Sequence, residues 1–244
     1  MRHLVFFFLT FTTYCVAQGN SVPLTLYQQF NGPFDYTIIG KSHNTSDNIV
    51  VVPQSTCVMQ TNSSASLSLA ANQTIAGAYL VWSGIGNGAG TTLNLNGNTI
   101  IPDLINVANI HPPTWVPYLY FSAVKDITSY VQSFGNGLYQ VNNFNLNPLI
   151  PLYCSNMNYY SGWNIVVVYT NPTLPNKQLN IYEGFKHMVG TVVNNTTFFI
   201  PISNLNVTST VGAKMTYIAY NGSGENGHVD HPKTEYTDQL FSFA

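Results

Sequence analysis

Residues 159–185 read YYSGWNIVVVYTNPTLPNKQLNIYEGF, and the run Trp163–Tyr169 inside them decides the fold. A strand with one wet face alternates apolar and polar residues, whereas this run is too apolar on both faces to lie at an edge. It predicts a strand in the centre of a sheet, covered from two sides. Asn171-Pro172 and Leu174-Pro175 then turn the chain into the alternating segment Gln178–Tyr182, a second strand.

The same vocabulary recurs in both directions. Short alternating or apolar segments stand between Asn, Gly and Pro punctuation, and helical periodicity is almost absent. Strands are predicted at 24–30, 35–40, 48–52, 66–70, 77–84, 91–97, 118–124, 138–144, 163–170, 177–185, 195–202, 214–222 and 239–244. In Thr92-Leu93-Asn94-Leu95-Asn96 the alternation places leucine on one face and amide on the other. One segment differs. In VKDITSYVQSFGNG, residues 124–137, Asp126 can cap a short helix whose Ile127, Tyr130 and Val131 share a face, and Gly135 can end it in a left-handed conformation. The stretch from Asn106 to Pro117, with Pro112, Pro113, Pro117 and Trp115, reads as a long ordered loop. The expected fold is therefore all-β: an antiparallel β-sandwich, jelly-roll-like, with one short helix.

The N-terminus, MRHLVFFFLTFTTYCVAQ, sets two basic groups before the apolar run Leu4–Phe11 and small residues up to Ala17. That is the grammar of a secretory signal peptide, and the apolar run is far short of the roughly 20 residues of a membrane span. Cleavage after Ala17 would leave Gln18 first, and a single sandwich domain over 18–244. Tyr14 ahead of Cys15 disfavours a lipoprotein reading. The expected location is secreted or cell-surface, with no membrane insertion after the leader is removed.

Charged residues are only 7% of the chain and the formal net charge is −2. Without a basic cluster, nucleic acid is excluded as a partner, because phosphate binding depends on Lys and Arg. The chain solvates itself with Asn, Ser and Thr instead. Sequons at Asn44, Asn62, Asn72, Asn194, Asn195, Asn206 and Asn221 follow largely by chance from that composition.

Several quoted segments carry a resemblance. Gly77-Ala78-Tyr79-Leu80-Val81-Trp82-Ser83-Gly84, Ala123 to Val131, Gly135-Asn136-Gly137-Leu138-Tyr139, Ser161-Gly162-Trp163 leading into Val166-Val167-Val168-Tyr169, and Tyr182-Glu183-Gly184-Phe185 occur in order over residues 77–190. Together they resemble a secreted bacterial surface-protein module, the domain found ahead of repeated Ig-like segments in large adhesin-like proteins. Thr237-Asp238-Gln239-Leu240 looks like that module's last strand. Glu183 stands where an aspartate is commoner, and the resemblance implies repeats and a sorting segment downstream, in which case the domain over 18–244 would be truncated at its C-terminal end. The resemblance implies surface display or adhesion, without catalytic residues to transfer.

Glu183 is the one acid in an aromatic setting among nine acidic residues; a glycosidase needs two facing carboxylates, so Glu183 reads as a turn residue and the protein as no enzyme. Glu225, His228, Asp230 and His231 crowd imidazole and carboxylate ligands within seven residues and could hold calcium or a first-row metal, yet their spacing matches no established ligand motif; an exposed polar loop, with no cofactor, is the reading preferred. Trp115, Tyr159 and Tyr160 lie in expected loops and could stack on sugar rings, the alternative being a secreted carbohydrate-binding module with surface glycans as partners in place of other cell-surface proteins. Trp82 and Trp163 read as core.

Removing the leader leaves Cys57 and Cys154 as the remaining cysteines. In an oxidising compartment they are natural disulfide partners, closing a long loop for a gain of about 4 kcal/mol; the alternative is two separately buried thiols. Alkylation and mass spectrometry of the native chain should find both sulfurs protected until a reductant is added, and two free thiols in native protein would dismiss the bridge.

Overall fold

The computed structural model describes residues 22–45, 57–89, 91–110, 118–154, 159–186, 201–204, 214–220 and 233–237. Their strands are β1 (Val22–Gly32), β2 (Phe34–Ser42), β3 (Ser63–Leu67), β4 (Thr74–Ile85), β5 (Leu93–Leu95), β6 (Asn98–Ile100), β7 (Leu104–Ile110), β8 (Tyr118–Asp126), β9 (Gly137–Asn142), β10 (Ser161–Thr170), β11 (Lys177–Phe185), β12 (Met215–Ala219) and β13 (Lys233–Thr237). Two short helices, α1 (Thr128–Phe134) and α2 (Ile150–Cys154), interrupt them, and a 3₁₀ turn at Asn147–Leu149 leads into α2. The fold is all-β and antiparallel, in sandwich-like layers.

The central sheet has the order β2-β10-β4-β8-β7. The doubly apolar run Trp163–Tyr169 is indeed interior: β10 pairs with β2 on one side and β4 on the other. Its alternate residues Trp163, Ile165 and Val167 meet Ala78, Leu80 and Trp82 of β4, Phe121 and Ala123 of β8, and the inner residues Leu67, Leu93, Leu95, Tyr139 and Val141 of a second sheet, β3-β9-β5-β6. The opposite face of the central sheet offers Tyr79, Val124 and Val168 to Leu179 of the two-stranded ribbon β1-β11. A third cluster, Ile85, Tyr118, Tyr120, Ile150, Tyr153, Tyr159 and Tyr160 with Met59 and Cys154, closes one end, where Cys57 and Cys154 are bonded with Cα atoms 6.0 Å apart.

Helix α1 occupies the expected place, with Val131 buried and Asp126 accepting the Thr128 N–H at 2.8 Å. Ile127 rather than Asp126 is the N-cap, and Gly135 takes φ 70° and ψ −148°, a positive φ outside the left-handed helical region. A single helix was expected; α2 is the second, its tyrosine and cysteine drawn into the end cluster. Residues 106–110, expected as the start of a long loop, belong to strand β7, and the three prolines that suggest a loop begin only after it. Asn96-Gly97, with φ 46° and 89°, is not a strand end but the two-residue turn joining β5 to β6, in the conformation only such residues adopt easily. The expected strand at 48–52, most of 195–202, and 239–244 lie outside the described residues.

One buried polar group ties the layers together. His43, directly after β2, is 0% exposed. Its Nδ1 meets the Ser161 hydroxyl of β10 at 2.9 Å and its Nε2 the Ser63 hydroxyl of β3 at 2.8 Å, and Ser63 also accepts the Trp163 indole N–H at 2.7 Å. Loss of water pushes the imidazole pKa down to about 4. The sign follows: an unfolded histidine, with pKa about 6.5, takes up a proton that the folded one refuses until about pH 4, so stability falls across that window and levels off below it. The integrated loss is about 3 kcal/mol. Denaturant melts from pH 7 to pH 4 should show this decline, and His43→Gln, less stable at pH 7, should show a shallower one; an unchanged slope would contradict the account.

Candidate interaction site

Strand β7 has the composition LINVANI, without a charge, a proline or a glycine. It pairs with β8 through seven antiparallel positions from Leu104↔Val124 to Ile110↔Tyr118. Among the described residues nothing pairs with its other side, so it is an edge of the central sheet. Edge strands display unpaired N–H and C=O groups, and proteins guard them with charges, prolines or bulges. The sheet's far edge is guarded. There β2 carries Asp35, bridged to Lys177 at 3.6 Å and Lys214 at 3.7 Å, and exposed Lys41, while its Tyr36 hydroxyl bonds Thr216 of β12. β7 has none of these devices.

The two faces of β7 differ. Asn106 and Ala108 are buried toward the β1-β11 ribbon, where the Asn106 amide donates to the Glu183 carboxylate at 2.6 Å. On the other face Ile105 and Val107 are 40% and 37% exposed, while Leu104, at the start of the strand on the Asn106 face, is exposed too. Asn109, on the same face as Ile105 and Val107, has the one side-chain acceptor among the described residues that is buried without a hydrogen-bond partner, its Oδ1. Backbone edge and apolar strip thus coincide on one strand, which suits β-augmentation by an incoming strand.

Glu183 is not the turn residue expected. It lies within β11 opposite Thr25, and Gly184 follows because a Cβ there would come within 2.6 Å of the Pro23 carbonyl at a bulge in β1. Burial pushes its carboxyl pKa up, against the Asn106 bond that pulls it down. Among the described residues its side-chain partner is an amide and not a second carboxylate. Burial also raises Tyr27, with the fields of Asp103, Asp126 and Glu183 adding to it.

Tyr159 and Tyr160 are not loop rings open to a sugar. They are 2% and 8% exposed, and Tyr160 is stacked between Tyr120 at 5.3 Å and Tyr220 at 5.9 Å. Sequence position next to a strand suggested exposure; the end cluster with α2 buries them instead. Trp82 and Trp163 are core as expected. Trp115 and the set Glu225, His228, Asp230 and His231 lie outside the described residues, and among those described no group of three or more His, Cys, Asp and Glu could hold a metal. A groove of about 510 Å³ beside the disulfide, lined by Cys57, Val58, Asn147, Ile150, Pro151 and Cys154, offers little polar chemistry. No helix among the described residues is long and apolar enough to cross a membrane. The chain matches no family model, no curated protein and no solved structure.

Because the folded Glu183 holds its proton more tightly than an unfolded glutamate near 4.5, its contribution to stability is full at low pH and lost as pH rises through the raised value. Glu183→Gln keeps an acceptor for Asn106 and removes the buried charge. The variant should match or exceed the parent at pH 7 by at most about 1 kcal/mol, with the gap closing toward pH 4 in denaturant titrations.

Proposed function

We propose that this chain is a secreted or cell-surface module, adhesin-like in character, that performs no chemistry of its own and acts by joining its open sheet edge to a strand of another protein. The observation that carries the reading is β7, which among the described residues is an uncharged, unpaired edge of the five-stranded sheet. Main-chain pairing along such an edge supplies affinity, while the exposed Ile105 and Val107 supply selectivity through the pockets they meet. The leader-like N-terminus, the Cys57–Cys154 bridge and the likeness to surface-protein modules support extracellular placement. The low charge of the chain favours apolar and main-chain contacts over ionic ones. A lectin role loses support with the burial of Tyr159 and Tyr160.

Labelled mature chain, applied to intact, unpermeabilised cells of the producing organism, should decorate them in flow cytometry, and Val107→Lys should cut the signal at least about tenfold, as expected when an edge contact is replaced by a desolvated charge. Equal binding by the parent and the variant would remove the edge from the function.

A further inference from the structure

We infer that the strand received by β7 belongs to a second copy of this chain, so that the contact is homotypic and the two central sheets join into one. This deepens the edge-contact function proposed above and rests on it. Three observations point to a like partner. The strand is electrically neutral, so a copy meets no repulsion, whereas the guarded edge at β2 presents Asp35 and Lys41 and is closed to the same trick. An edge that pairs with itself antiparallel about a two-fold axis makes a closed contact and leaves no further edge of the same kind, so pairing stops at two copies.

The third observation is the pattern about Val107. With the axis there, Val107 faces Val107 of the copy, Ile105 faces Asn109, and Asn106 faces Ala108. Side chains directly opposite share a face, so the exposed Ile105 and Val107 of both copies gather into one apolar strip that covers itself. The face bearing Asn106 and Ala108 stays under the β1-β11 ribbon in each copy.

The two-fold makes a test that other arrangements fail. Directly opposed residues place their Cβ atoms about 4.5–5.5 Å apart, within disulfide reach after small shifts. With the leader and its Cys15 removed, Cys57 and Cys154 are bonded to each other, so Val107→Cys adds one free thiol. Light scattering with size exclusion should give the full chain twice its monomer mass at micromolar concentration, Val107→Lys and Ile105→Lys half that value, and mildly oxidised Val107→Cys a reducible covalent dimer that Ser66→Cys, on an exposed position of β3, does not form. Equal thermal midpoints check that the variants fold. A monomer at every concentration, a dimer that survives both lysines, or equal trapping by Ser66→Cys overturns the inference. If the chain is monomeric while Val107→Lys still abolishes cell binding, the homotypic partner is wrong and the edge-contact function stands.

Discussion

The structure hangs on β10 being dry on both faces. Trp163 sits in register beside Trp82 of β4, and both indoles are fully buried. Each also donates its N–H toward the second layer or the loop that reaches it: Trp163 to the Ser63 hydroxyl at 2.7 Å and Trp82 to the Thr91 carbonyl at 2.8 Å. An indole buried in this way contributes large apolar area and fixes direction at the same time. Once β10 is interior, two strands must flank it, one layer must cover Trp163, Ile165 and Val167, and another must cover Val168. The rest of the fold is the answer to those requirements.

A chain with so few charges needs another way to hold its loops, and asparagine provides it. Asn136 clamps Leu69 by accepting its N–H at 2.7 Å and donating to its carbonyl at 2.8 Å. Asn147 does the same to Met59, both bonds being 2.9 Å. Asn96 bonds the Gln140 N–H and the Leu138 carbonyl of β9. A side-chain amide carries the donor and acceptor of a peptide group, so these residues imitate one more rung of sheet where the backbone cannot supply it.

Periodicity made the central strands readable, because burial on both faces leaves a long apolar run that no loop would carry. The bridge between Cys57 and Cys154 was readable from cysteine arithmetic once the leader was set aside. The candidate site was not. LINVANI mixes amides and aliphatics, so neither a clean alternation nor a dry run announces a strand, and the prolines beyond it drew attention to a loop. Asn106 in particular reads as polar and exposed, yet it is buried because Glu183, distant in sequence, supplies its partner. The tyrosines beside β10 misled for the opposite reason: a loop position suggested exposed rings, while the end cluster assembled from four separate segments buries them. Contacts between residues far apart in the chain leave no local trace.

The Cys57–Cys154 bond has a mechanical meaning for a protein held at a surface. It encloses β3 to β9 and both short helices in one covalent ring, with β1, β2, β10 and β11 outside it. Under tension applied at the chain ends, the 97-residue span inside the ring cannot lengthen, which withholds roughly 340 Å of contour. The boundary between what can pay out and what cannot is the ladder joining β10 to β4, the longest and driest seam of the molecule. A pulled molecule would therefore pay out its outer strands and keep β7 inside the ring that cannot lengthen.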